Sequence, residues 1–265
     1  MKIKQIVSAL ERFAPLPLQD GFDNAGLQIG LTEAEATGAL LCLDVTEAVL
    51  DEAIALGYNL VISHHPLIFK GYKSITGKDY VERCILKAIK NDIVIYSAHT
   101  NLDNAYGGVN YKIAEKIGLK NLQVLEPKEN SLQDDLTQAG AGIVGELDEP
   151  ETELEFLKRI KKTFEVGCVR HNRLTGREIQ KVALCGGAGA FLLPQAIRAG
   201  ADVFITGEIK YHDYLGHEGD ILMAEIGHYE SEQYTKEIFY SIIRDLFPNF
   251  ALQSSKINTN PIKYL

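Results

Sequence analysis

No apolar run in the 265 residues approaches the ~20 that a membrane span requires. The 27 basic and 36 acidic side chains leave a formal charge of −9, and a net-acidic surface repels phosphate backbones and anionic lipid. Both nucleic-acid and membrane partners are therefore argued against. The four cysteines, Cys42, Cys84, Cys168 and Cys185, lack CxxC spacing. They read as reduced core thiols of a cytoplasmic protein, not as a disulfide frame or a zinc knuckle. Met1–Phe13 reaches Glu11 and Arg12 before any signal-like apolar stretch forms, so no export signal is expected. Exact repeats and low-complexity tracts are also missing. What is present is ordinary globular composition, 46% hydrophobic and 24% charged, in a length that suits one large α/β unit or two small ones.

The pattern along the chain is α/β throughout. Ile3, Ile6, Val7, Leu10 and Phe13 recur at helical spacing until Pro15 and Pro17 stop the helix. Uninterrupted apolar stretches at Gly38–Asp44, Asn59–Ser63 and Asp92–Ala98 read as buried strands. They are separated by helices at Thr46–Ala55 and Tyr80–Lys90, and Asn110–Ile117 reads as another helix. That rhythm predicts right-handed crossovers and a largely parallel sheet. The polar, aperiodic segment Glu126–Leu136 is the expected boundary. Beyond it, strands are predicted at Ala141–Leu147, Lys181–Cys185, Ala201–Ile205 and Asp220–Glu225. Helices are predicted at Glu151–Lys162 and Phe191–Ala199, and a final amphipathic helix carries Tyr234, Ile238, Ile242 and Leu246 on one face. The expectation is two α/β domains, 1–127 and 128–265, with mixed, largely parallel sheets.

Of seven histidines, several stand at strand ends, where α/β proteins place their sites because the sheet holds the loops rigid. His64 and His65 follow Asn59–Ser63 directly and are stiffened by Pro66. His99 follows the next strand and is succeeded by Asp103. His228 and Glu232 follow the last strand and would be i and i+4 if a helix starts there. Taken singly, each is an ordinary solvated or hydrogen-bonded group. Together they form a set of imidazoles and carboxylates at shared strand ends, which points to a metal site. Such donors without thiolate suit Zn, Mn, Fe, Co or Ni. Five candidate ligands, His64, His65, Asp103, His228 and Glu232, exceed what one tetrahedral zinc uses, and a carboxylate can bridge two cations. Two divalent cations thus account for the set better than one, with hydrolysis as their natural chemistry. His99 is then either a partner orienting a ligand or a proton shuttle.

Weaker signals share that rim. Glu208, in Thr206-Gly-Glu208, reads as a general acid/base or as a helix cap. Cys185-Gly-Gly-Ala-Gly189 lacks the Lys-Ser/Thr of a P-loop and does not match GxGxxG. It is a phosphate cradle or a packing turn. His171 and His217 lie in polar loops and read as exposed bystanders.

The motifs, in order, are Phe22-Asp-Asn-Ala-Gly-Leu27, Ser63-His-His-Pro66, Ala98-His-Thr-Asn-Leu-Asp103 with Gly107-Gly-Val-Asn110, Cys185-Gly-Gly-Ala-Gly189, Thr206-Gly-Glu208 and Gly227-His-Tyr-Glu-Ser-Glu232. In this order and separation the chain resembles, along essentially its whole length, the GTP cyclohydrolase 1 type 2 homologue (NIF-three-like) family. The resemblance implies a two-domain α/β subunit with two metals in the cleft between domains, assembled as a homo-hexamer. It implies that His64, Asp103 and Glu232 hold one metal, and His65 and His228 the other, with Glu232 bridging. Two departures stand out. Phe22 occupies a position where relatives often carry Trp, and no inserted domain fills the Glu126–Leu136 region as it does in longer relatives. Fold and metal do not determine substrate. A hydrolase acting on a nucleotide or phosphoester, with His99 or Glu208 moving protons, competes with a non-enzymatic metal-binding or metal-delivery protein. Both compete with a protein whose histidines are structural.

Overall fold

The computed structural model describes residues 1–128, 139–217 and 219–265. In chain order the helices are α1 (Ile3–Phe13), α2 (Glu47–Leu56), α3 (Tyr80–Lys90), α4 (Thr100–Asp103), α5 (Val109–Ile117), α6 (Glu153–Thr163), α7 (Leu193–Arg198), α8 (His228–Glu232) and α9 (Thr235–Leu246). The strands are β1 (Gly26–Ile29), β2 (Ala39–Cys42), β3 (Leu60–Ser63), β4 (Val94–Ser97), β5 (Lys120–Pro127), β6 (Gly140–Thr152), β7 (Arg170–His171), β8 (Glu178–Cys185), β9 (Val203–Thr206), β10 (Leu222–Glu225) and β11 (Leu252–Ser254). The chain divides into two compact units. One comprises Met1–Leu102 with Thr235–Pro261, the other Asp103–Tyr234 with Ile262–Leu265.

The first unit carries a sheet of order β1-β4-β3-β2-β11. It is parallel except at β1, which runs antiparallel to β4. Every residue of β2, β3 and β4 is buried. That is what continuous apolar strands require when helices cover both faces. Local chemistry fixes the helices between them: the Thr46 hydroxyl accepts from the Val49 amide, and Gly57, at φ +70°, closes α2 in the left-handed conformation. The register sets Cys42 opposite Ser63, and Ser63 opposite Ser97. Three strands therefore end level, and whatever follows them emerges side by side.

The second unit has a sheet of order β5-β6-β8-β9-β10-β7. Only β8, β9 and β10 are mutually parallel; β5, β6 and β7 join in antiparallel fashion. Phe156, Phe164 and Phe204 are wholly buried in it. Cys185 lies opposite Thr206, and Thr206 opposite Glu225, so a second row of parallel strands also ends level.

Several sequence expectations shift. Where one cut was expected after residue 127, Pro127 closes β5 inside the second unit, and α9 packs with the first unit against α1, β2 and β11. Of the expected boundary segment, residues 129–136 lie outside the described residues. The buried face of α9 is Ile238, Phe239 and Ile243, while Leu246 is 52% exposed. Tyr234 precedes the helix and packs instead on Phe164, its hydroxyl donating to the Thr163 carbonyl. Cys42, Cys84 and Cys185 are buried and Cys168 is exposed, so only three of the thiols are core groups; among the described residues none is in a disulfide. Among the described residues no helix is long and apolar enough to cross a membrane.

Candidate metal-ligating groups

In the first unit the level strand ends deliver Asp44, His64, His65 and His99 to one edge. Beneath them the Ser63 and Ser97 hydroxyls are hydrogen-bonded to each other at 2.8 Å, and Ser63 also donates to the His65 carbonyl. His64 is fully buried, and its Nδ1 donates to the Ala98 carbonyl at 2.9 Å. His65 Nδ1 donates to Asp44 Oδ1 at 2.7 Å, and Asp44 Oδ2 accepts from the Thr259 hydroxyl. His99 Nδ1 donates to Asp23 Oδ1 at 2.8 Å, while Asp23 Oδ2 accepts from the Thr100 amide and hydroxyl.

Burial pushes the Asp23 carboxyl up, but the hydrogen bonds from His99 and Thr100 outweigh it and hold the group down at about 2. For Asp44 burial likewise raises and the His65 hydrogen bond lowers, with a net depression. Both acids are therefore ionised acceptors, and each fixes its imidazole as the Nδ1–H tautomer with a lone pair on Nε2. An oxygen acceptor on the far nitrogen is the usual support of a metal-binding histidine. His64, His65 and His99 each offer a nitrogen, and these atoms lie within 4.8 Å of one another. His99 thus sits in the same group as the adjacent pair.

The second unit builds its set on the same plan. After β8 comes the glycine turn, after β9 Gly207-Glu208, and after β10 Gly227 and α8. His228 Nδ1 is 2.8 Å from Glu208 Oε1, and its Nε2 is 3.1 Å from Glu232 Oε2. The expected i, i+4 pairing on a helix is present, and Glu208 stands behind His228. Glu232 is nearly buried, whereas Glu208 is more than half exposed. Asp103 is tied to this set through its backbone. Asn110 Nδ2 donates to the Asp103 carbonyl, and Asn110 Oδ1 accepts from the Gly186 amide.

The glycine turn is a packing turn. The Gly186, Gly187 and Gly189 amides are committed to Asn110, Ser231 and Thr206, and the Gly187 carbonyl accepts from the amides of Gly207 and Glu208. They are therefore not a free row of donors for a phosphate. A Cβ on Gly187 would stand 2.2 Å from Glu232 Oε1, and the residue is already at φ +60°. Its lack of a side chain makes the room that Glu232 occupies. His171 is exposed, as expected, whereas His217 is half-buried, near Asp220.

Spacing does not single out the supporting residues Asp23, Asp44, Thr259, Asn110 and Ser231. In the first unit Asp23, Asp44 and Thr259 lie 76, 21 and 215 residues from their partners. The signals the sequence offers are that Asp23, Asn110 and Ser231 fall within motifs and Asp44 at a strand end.

Comparison with known proteins gives the lineage. The family model for Duf34/NIF3 (NGG1p interacting factor 3) matches residues 1–261. The chain belongs to the Duf34/NIF3 family. It is 37% identical over 235 residues to a GTP cyclohydrolase 1 type 2 homolog of Clostridium perfringens, covering 88% of this chain and 87% of the relative. To a protein of the same description from Lactococcus lactis it is 34% identical over 271 residues, covering 98% of each. The crystal structure of Staphylococcus aureus hypothetical protein SA1388 superposes with a TM-score of 0.91 at 32% identity, covering 100% of this chain and 99% of that one. This Duf34/NIF3 chain therefore matches the SA1388 fold over its whole length, and its histidine and glutamate groups are of a kind that could bind metal.

Proposed function

We propose that this Duf34/NIF3 protein binds two divalent cations per chain and is a metal-dependent hydrolase of nucleotides or phosphoesters. The supporting observation is a set of four imidazoles, His64, His65, His99 and His228, each with Nδ1 against an oxygen acceptor. The donor set, imidazole and carboxylate without thiolate, fits Zn, Fe, Mn, Co or Ni. His64, Asp103 and Glu232 would hold one cation, and His65, His228 and Glu232 the other. When bound, such a pair supplies Lewis acidity toward a substrate oxygen and lowers the pKa of water.

The chain's own residues do the rest. Asp23 and Asp44 orient His99 and His65, and Glu208 orients His228. With Asp23 behind it to stabilise an imidazolium, His99 can accept a proton at Nε2 and return it to a leaving group. The exposed Glu208 carboxylate is the second group able to exchange a proton with substrate. The name GTP cyclohydrolase 1 type 2 homolog, borne by the relatives, supports a nucleotide among the substrates. The protein assembles as a homo-hexamer, which light scattering on the purified protein would test.

The functional test incubates metal-loaded protein with GTP and with p-nitrophenyl phosphate, beside His65→Ala and Glu232→Ala. Turnover lost in both variants supports the hydrolase. Tight metal binding without turnover on either substrate class would replace it with a metal-binding or metal-delivery protein.

A further inference from the structure

Two large aromatic side chains stand in the open beside the first unit's histidines. Phe22 is 66% exposed and Phe69 43%. Their ring centroids are 6.3 Å apart with planes tilted by 42°, and Phe69 meets His99 edge-on at 6.1 Å. Phenylalanine is usually an interior residue, and exposed aromatic surface grouped at one place marks a contact surface.

The frame beneath these rings is rigid. Asp23, next to Phe22, has a fully buried side chain bonded to His99 and Thr100. Asn24 Nδ2 donates to the Ile68 carbonyl at 2.6 Å, and the Ile68 amide donates to Gln28 Oε1 at 3.2 Å. The turn carrying Phe69 is thus laced to the segment carrying Phe22, and both rings are referenced to His99. Two tilted aromatic faces make an open corner. A flat ring can stack on one face and present its edge to the other, an arrangement that the aromatic quadrupole favours. The Asn24 and Gln28 amides are spent on holding the two segments together, and the His99 imidazole is the polar group beside the rings.

We infer that Phe22 and Phe69 form a stacking platform for a planar heteroaromatic ring of the nucleobase type, belonging to the ligand whose reacting group reaches the histidines. The assignment of a reacting group rests on the metal reading above; the ring site itself rests on the aromatic geometry. Stacking on an aromatic side chain tolerates any base, because every base has a π-face. The platform therefore selects for a ring and leaves the choice among bases to other contacts.

The test is saturation-transfer NMR with guanosine, which has no phosphate to engage cations, on metal-loaded protein and on the same protein after chelator treatment. Binding is expected in both states. The Phe22→Ala/Phe69→Ala double variant should weaken it by about tenfold or more with metal content unchanged. Phe22→Trp, which enlarges the face, should retain or tighten it. No transfer to guanosine in the unmodified protein, or equal transfer in the double variant, would overturn the platform. Because the readout needs neither metal nor turnover, that failure would leave the metal reading standing. Ring binding in a protein that takes up no metal would sink the metal reading alone.

Discussion

At the residue scale, the question is what makes an imidazole a ligand instead of a surface group. In the first unit the answer is on the far side of each ring: Ala98, Asp44 and Asp23 take the Nδ1 proton of His64, His65 and His99. Replacing Asp23 or Asp44 by Asn keeps the shape and removes the anion. The Asp23 change, behind the proton-moving His99, should lower turnover while metal is retained. The Asp44 change, behind the ligand His65, should weaken metal binding by about 10- to 100-fold, measured by competition with a chromogenic chelator. Thr259→Val, which removes the hydroxyl bonded to Asp44 Oδ2, should act in the same direction, with rescue by Thr259→Ser. These partners explain why part of the site escaped sequence reading. His64, His65, Asp103, His228 and Glu232 announce themselves as chemically unusual residues at strand ends. Asp44, Thr259 and Asn110 are ordinary residue types whose roles exist only once the chain has folded.

At the element scale, the turns after the strands carry as much information as the strands. Gly187→Ala would press a Cβ onto Glu232 and also force a side chain into positive φ. Gly176, at φ +78° with open space around it, supplies the control, since there alanine meets only the backbone penalty of roughly 1–2 kcal/mol. Gly187→Ala should therefore lose both stability and metal, and Gly176→Ala stability alone, as read by thermal unfolding and metal analysis.

At the start of α3, Glu82 is buried and accepts the Thr76 and Lys78 amides and the Thr76 hydroxyl. Burial raises its carboxyl, but these bonds prevail and hold it at about 2, below the ~4.3 of an unfolded glutamate. A lowered folded-state value means that its stabilisation is complete above the unfolded value and disappears as pH falls toward 2. Glu82→Gln should flatten that stretch of the stability–pH curve, checked by urea unfolding between pH 6 and pH 3. Central strands and capped helices were legible because burial on both faces writes itself as an apolar run, as in Leu60–Ser63. The strands β1, β5, β7 and β11 were not. They are short or edge strands with mixed burial or, in β7, full exposure, so no apolar run marks them.

At the scale of the whole molecule, each of two compact units ends a row of parallel strands level and hangs its chemistry-bearing residues from that row. A sequence periodicity could reveal the two α/β units but not that Thr235–Pro261 returns to the first, because that choice is made by the packing of Phe239 and Ile243 and not by any local signal. The central claim is the proposal that the chain binds two divalent cations. It is tested most directly by counting metal in extensively dialysed protein by plasma mass spectrometry, with His65→Ala and Glu232→Ala alongside. The account predicts two transition-metal equivalents per chain, falling in both variants. A protein that retains none, even after reloading with Zn, Fe, Mn, Co and Ni in turn, would contradict it.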